Sequence, residues 1–306
     1  MKFLDVKTDF AFKKVFGSVN SKDILISFLN SVIEFDGTRK IKDLIIVDPY
    51  SIPLLKGMKD TYVDVKAELD DNSRVIIEMQ VLNHEGLEKR ILYNAAKNYS
   101  VQLKKGDAYH LLNPVIALTI TDFVLFKNTE ELINNFKLIE KKQFIEYSDD
   151  IELVFIELPK YDKTEAELAT VRDKWLYFIK NAGSLDYIPG NLNHELEKAF
   201  NIANEANLSE EELELQHKKK DWIYIQKSSI ELATRTGLQQ GLEQGLEQGL
   251  EKGLEQGLEQ GLIQGESDAK IKMVRNAHKM GLPLHTISEL TDLDEEKIRL
   301  ILKEHL

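Results

Sequence analysis

Two acidic residues and an amide are spaced so that they could act on a phosphodiester. Asp64 lies in the stretch Thr61 to Leu69, and Glu78-Met79-Gln80 lies in RVIIEMQVL, Arg74 to Leu82. Both stretches read as strands, and Asp70-Asp71-Asn72-Ser73 between them is a hairpin turn signal. Alternate residues share a face of a strand, which groups Asp64 with Lys66, and Ile76 and Glu78 with Gln80. A three-residue loop, Asp71 to Ser73, places Asp70 opposite Arg74, Asp64 opposite Gln80 and Lys66 opposite Glu78. Diagonal neighbours in such a pair are about 7–8 Å apart, close enough for two carboxylates to reach one cation. A slip of one residue sends them to opposite faces, so the site requires an even-parity register.

Phosphodiester hydrolysis needs charge neutralisation and a deprotonated water. Mg²⁺ takes oxygen ligands and keeps several waters, so two carboxylates and a backbone carbonyl suffice. The metal polarises the phosphate and acidifies its water. Asp64, Glu78 and the carbonyl of Met79 are the natural ligands. Gln80 can orient water or phosphate through its amide but cannot act as a general base. Taken alone, Asp64 is more often a solvated strand residue. Glu78 interrupts an apolar run, where an unpaired carboxylate is costly; a structural ion pair with Lys66 or Arg90 is the main alternative.

The surrounding elements must position these groups. Thr8-Asp9 precedes Phe10, Phe12, Val15 and Phe16, a capped amphipathic helix. Ser21 caps a second helix with Ile24, Leu25, Phe28, Leu29 and Val32 on its apolar face. A strand from Ile41 to Ile52 precedes the two acidic strands. Leu87 to Lys105 reads as a helix with Leu92, Ala95, Ala96, Tyr99 and Leu103 inward, and Pro114 to Phe126 as a further strand. The order is α-β-β-β-α-β. Beyond it, Ile151 to Pro159 reads as a strand, Leu168 to Ala182 as a helix, and Glu210 to Lys220 as a polar helical stretch.

At these residues the chain resembles the PD-(D/E)XK nuclease family of transposases, also called recombination-promoting nucleases. TDFAFKKVFG, DVKAE, IIEMQ, KRILYNAAKNYSVQL and PVIALTITDFVLF carry the likeness over residues 3 to about 126. It extends more loosely to about 225 through FIELPKY and KWLYFIK. The resemblance implies a restriction-endonuclease-like αβββαβ core of the α/β class and a Mg²⁺-dependent DNA endonuclease, with Mn²⁺ as a substitute. It puts Asp64 at the metal-binding Asp and Glu78 at the acidic position of the (D/E)XK element. Gln80 stands where the wider superfamily has Lys, so a neutral amide replaces an ammonium. Asp9 resembles an auxiliary acidic position that assists the metal, or is simply a first-turn residue favoured by the helix dipole. Tyr93 and Gln102 lie where related nucleases place DNA-facing polar groups, although Tyr93 also reads as partly core. Lys89, Arg90 and Lys97 are candidate phosphate contacts, or a solvated helix face.

From Gly237 to Gly265 a glycine recurs every fourth residue, usually as Gly-Leu-Glu-Gln. Four residues advance a helix by about 400°, so each stripe drifts about 40° per repeat and implies right-handed winding around a partner. Each interior Gly costs about 0.8–1.0 kcal/mol against Ala. The segment reads as a helix stabilised by self-association, with a flexible linker as the alternative. In the tail, KMGLPLHTISELTDLDEEKIRLIL is helix-turn-helix-like, with Ile287 and Leu290 before a turn and Ile298 and Leu302 after it. Its acidic surface favours a small dimerising unit over DNA contact. The expected division is 1–130 nuclease core, 131–236 accessory mixed or helical region packed on the core, 237–266 repeat, and 267–306 helical tail.

The formal charge of −12 disfavours a whole-surface nucleic-acid binder. A nuclease needs only a local basic track, because charges are screened within about 10 Å; the first forty residues carry seven Lys/Arg against five Asp/Glu. Cysteine is absent, which excludes disulfides and Cys-based zinc sites. No apolar run spans a membrane, and the N-terminus lacks a signal-peptide core, so a cytoplasmic protein is expected. The expected partners are DNA and further copies of the chain. The alternative to an endonuclease is a non-catalytic DNA-binding or self-assembling regulatory protein that retains the fold.

Overall fold

A computed structural model describes residues 1–303 except 36, 38 and 52–60. Helix α1 (Asp9–Phe16) starts where the Thr8 side chain accepts from the Ala11 N–H, and it buries Ala11, Phe12, Val15 and Phe16. Helix α2 (Lys22–Val32) buries Ile24, Leu25, Phe28, Leu29 and Val32, the expected apolar stripe. Then come β1 (Leu44–Val47), the short β2 (Tyr50–Ser51) and β3 (Thr61–Tyr62), β4 (Val65–Leu69), β5 (Arg74–Gln80), α3 (Leu87–Ser100) and β6 (Val115–Thr121). The far end of the strand expected from Ile41, at Ile52, lies outside the described residues. The chain continues with β7 (Ile133–Ile139), β8 (Glu146–Glu157), α4 (Val171–Asn181), α5 (His194–Ala203), α6 (Glu210–Lys279), α7 (Leu284–Thr291) and α8 (Glu295–Lys303).

The main sheet has the order β1-β4-β5-β6-β8-β7. The β1/β4, β4/β5 and β7/β8 pairs are antiparallel, while β5/β6 and β6/β8 are parallel. Helix α3 makes the crossover between the parallel β5 and β6, and β6 is buried along its whole length, as a central parallel strand should be. The order α-β-β-β-α-β is therefore present, with β2 and β3 forming a separate pair. One face of the sheet packs on α1, α2, α4 and α5 around Phe16, Phe28 and Trp175. Helix α3 covers the other face through Ala95 on Ile76 and Ala117, and through Leu87 and Ile91 on Phe155.

The β4–β5 register differs from the expected one by two residues. Lys66 faces Ile76 and Val65 faces Ile77, so Lys66 is not opposite Glu78 and Asp64 comes level with Glu78 instead of Gln80. The cause is the turn. Asn72 takes the left-handed φ of 66°, and the Leu69 N–H bonds to the Ser73 carbonyl at 2.8 Å. The loop is thus Asp70 to Asn72, with its last residue in the conformation that three-residue hairpins require. A shift of two keeps the parity.

Helix α3 is shorter than Leu87 to Lys105, and its inward face is rotated. It buries Leu87, Ile91, Asn94, Ala95, Lys97 and Asn98, while Leu92, Tyr93 and Ala96 face outward. Apolar periodicity misplaced this face because two of its inward residues are asparagines. Strand β8 begins at Glu146, before the expected Ile151, and β7 had no sequence expectation; both join the main sheet, so the chain does not divide at residue 130. The compact units are Met1–Ser229 and Ile230–Leu306. In the second, the repeat is helical throughout. Val274 and Ala277 of α6 pack with Ile287 of α7 and Ile298 of α8, whereas Leu290, expected inward, is exposed.

Candidate active site

Asp64 sits at a break in strand geometry. β3 ends at Tyr62, Asp64 is a bend, and β4 starts at Val65. Val63 packs on the α3 side and Val65 on the opposite side, so the alternation expected from Thr61 to Leu69 fails here. The Asp64 side chain reaches across to β5, where its Oδ2 accepts the Met79 N–H at 2.8 Å. Its Oδ1 lies 3.3 Å from Lys13 Nζ of α1. Irregular strand positions of this kind re-aim a side chain.

Glu78 projects from β5 toward α3, and its side chain is only 7% exposed. Oε1 accepts from Asn94 Nδ2 at 2.6 Å. Oε2 accepts from Gln80 Nε2 at 3.0 Å and from Arg90 at 3.3 Å. The ion pair with Arg90 expected as an alternative is therefore present, and Lys66 takes no part in it. Burial pushes the Glu78 carboxyl above its ordinary range; Asn94 and Arg90 oppose the shift, and the nearby Asp64 charge adds to it. Burial likewise raises Asp64 against the pull of the Met79 N–H and Lys13, while Asp9 adds to the rise. Two mostly buried carboxylates thus lie at the end of β4 and β5, close enough for the Asp64 charge to raise the cost of ionising Glu78.

These donors fit a hard divalent cation. All are oxygens, and Asn94 Oδ1 beside Glu78 is buried with no hydrogen-bonding partner in the protein. Among the described residues no three His, Asp or Glu side chains converge. Asp64 and Glu78 are thus a pair of carboxylates and not part of a cluster of three. Asp9 is near enough to be felt by Asp64, yet its Oδ2 pairs with Lys219 of α6 at 3.1 Å and its Oδ1 accepts the Phe10 N–H.

The expected DNA-facing residues separate into two groups. Lys89 and Tyr93 are exposed on α3, and Arg90 is half-exposed while bonded to Glu78. Lys97 is 3% exposed. Gln102 lies past the end of α3, where its amide exchanges hydrogen bonds with Asn113 (2.8 and 2.9 Å).

Several partners of the site had no sequence expectation. Lys13, Lys219 and Lys227, the last bonded to Asp122 beyond β6, come from distant segments, and no local pattern announces them. Asn94 left a trace: Arg90, Asn94 and Asn98 follow one another at four-residue spacing, a polar stripe on a helix that has to cover a sheet.

No match was found among curated proteins or among solved structures. The family model described as PD-(D/E)XK nuclease family transposase matches residues 6–233, a span that contains α1, the β4–β5 hairpin with Asp64 and Glu78, α3 and the whole main sheet. With three quarters of its length matched, and with its two mostly buried carboxylates inside the match, the chain belongs to the PD-(D/E)XK nuclease family of transposases.

Proposed function

We propose that this protein is a divalent-metal-dependent DNA endonuclease, using Mg²⁺ or Mn²⁺, in recombination, mobile-element biology or phage defence. The observation that carries the reading is the meeting of Asp64 and Glu78, two buried carboxylates, at one end of the β4–β5 pair within the family match. Asp64, Glu78 and the Met79 carbonyl would hold the cation. When bound, that cation neutralises phosphate charge and acidifies a water.

The chain's own groups prepare this site. The Met79 N–H fixes Asp64, and Asn94 and Arg90 fix Glu78. Gln80 donates to Glu78 and orients it; as an amide it takes no proton, so the proton passes to solvent. Lys89 and Tyr93 face outward on α3 and Arg90, half-exposed, holds Glu78; these three are the proposed phosphate and base contacts. Asp9 is proposed as an outer carboxylate, released when Lys219 leaves it. The repeat is proposed as a self-association segment: its leucines Leu238 to Leu262 are 65–75% exposed on the helix.

The test is nicking of supercoiled plasmid with and without Mg²⁺. Cleavage is expected for the wild type and is expected to disappear in Asp64→Asn and Glu78→Gln. DNA binding without turnover in either metal would instead favour a non-catalytic binding protein on the same fold.

A further inference from the structure

Lys13 is not part of the site as drawn from the sequence, and it stands at the point where that site lacks a charge. Position 80 offers an amide, and no ammonium comes from β5. The Lys13 Nζ approaches Asp64 Oδ1 from α1 at 3.3 Å, while Asp64 Oδ2 is occupied by the Met79 N–H. The Lys13 side chain is 42% exposed, against 14% for Asp64. Its amine therefore pairs with a mostly buried carboxylate while the side chain as a whole stays partly exposed, so it can exchange that partner for another without leaving a cavity in the core. Arg90 is placed in the same way toward Glu78, at 3.3 Å and 41% exposed.

We propose that Lys13 is the cationic positioning residue of this site: it neutralises Asp64 when no divalent ion is bound, and it turns to a DNA phosphate when one is. The inference rests on the metal-site reading above. Its physical basis is competition. A divalent ion on Asp64 brings two positive charges within a few ångströms of the ammonium, and like charges at that separation repel strongly where solvent is partly excluded. Lys13 then has to leave Asp64, and the nearest anion offered by the substrate is the phosphate held at the same carboxylates. Lys, a compact point charge on a flexible stem, suits such an exchange better than a rigid fork.

The exchange predicts two effects of opposite sign. In Lys13→Met, which keeps the length of the stem, Mn²⁺ binding by calorimetry should tighten by about two- to fivefold, the range of a partly exposed ion pair. DNA binding measured in Ca²⁺ should weaken, and the slope of log K against log salt should fall by about one contact, roughly 0.9. Lys13→Arg should restore the salt slope. Circular dichroism of the variants confirms that they fold. Tightened Mn²⁺ binding with an unchanged salt slope would make Lys13 a mere counter-ion and overturn the proposal, as would no change in either quantity. A wild-type chain that binds no Mn²⁺ would overturn the metal-site reading itself, and this inference with it.

Discussion

Replacing Glu78 by Gln separates a metal-binding carboxylate from a structural one. Burial raises the Glu78 carboxyl, and the Asn94 and Arg90 contacts offset only part of that rise. The stabilising contribution of such a group is complete below its unfolded pKa and is lost as pH rises through the raised folded value. At neutral pH the ionised Glu78 is thus a net cost to folding, worth about 1.4 kcal/mol for each pKa unit of rise. Gln keeps an oxygen to accept the Asn94 amide and removes the charge, and half-exposed Arg90 can turn to solvent. In EDTA at pH 7 the Glu78→Gln variant should melt at or above the wild type. The gap should close as pH falls toward the ordinary glutamate range. Divalent metal reverses the order. At a hundred times Kd a ligand adds about 2.7 kcal/mol. For a unit the size of Met1–Ser229 this is a rise of about 5–11 °C in the wild type and none in the variant. The assay is thermal melting followed by intrinsic fluorescence, whose change comes mainly from fully buried Trp175 and little from exposed Trp222. A variant that melts several degrees below the wild type in EDTA, together with a wild type indifferent to metal, would show Glu78 to be a structural ion-pair partner and refute the reasoning.

Asn94→Ala should destabilise the fold by about 1–3 kcal/mol, because a buried carboxylate loses its 2.6 Å donor; urea unfolding measures this, and a loss below about 0.5 kcal/mol would mean that Asn94 does not hold Glu78. Both carboxylates sit above their ordinary range, so Mn²⁺ affinity should fall on acidification before ordinary carboxylates titrate, and calorimetry from pH 7.5 downward would expose a flat profile as contrary. Gly241→Ala, Gly249→Ala and Gly257→Ala together meet no atom within 4 Å of the added carbon. They should gain about 2–3 kcal/mol of helix propensity, seen as higher helicity on heating. If bare glycine faces form the contact between copies, light scattering should show the same variant dissociating. Unchanged mass both here and on deletion of Gly237 to Gly265 would remove self-association from the reading.

The acidic pair was legible because a turn signal and strand alternation are both local. Asp70 to Ser73 announced the hairpin, and a three-residue loop in either position keeps the even parity that places Asp64 and Glu78 on one face. The register itself was not legible: it depends on whether Asn72 or Ser73 takes the left-handed position, and Asn72 does. Alternation through Val63 was misleading because the chain kinks at Asp64, and that kink is what turns the carboxylate toward Met79. Strand β7 escaped notice as an edge strand, INNFKLI, with no buried residue and hence no hydrophobic alternation to read. The inner face of α3 was misjudged because its inward polar residues include Asn94, which donates to Glu78.

The charge of the whole chain also says little about this end of the sheet. Asp64 pairs with Lys13, Glu78 with Arg90, Asp9 with Lys219, and Asp122 with both Lys7 and Lys227. Lys7 also lies 3.9 Å from Asp5, so five acids meet five cations there, although the chain as a whole carries −12. In such a set the acids and cations satisfy one another, and neither is fully available to a ligand. On the proposed function, a divalent ion would take over the carboxylates of such pairs and the phosphates of a polyanion would take over the released amines. Metal and DNA should therefore help each other to bind, because each takes up the charges that the other sets free.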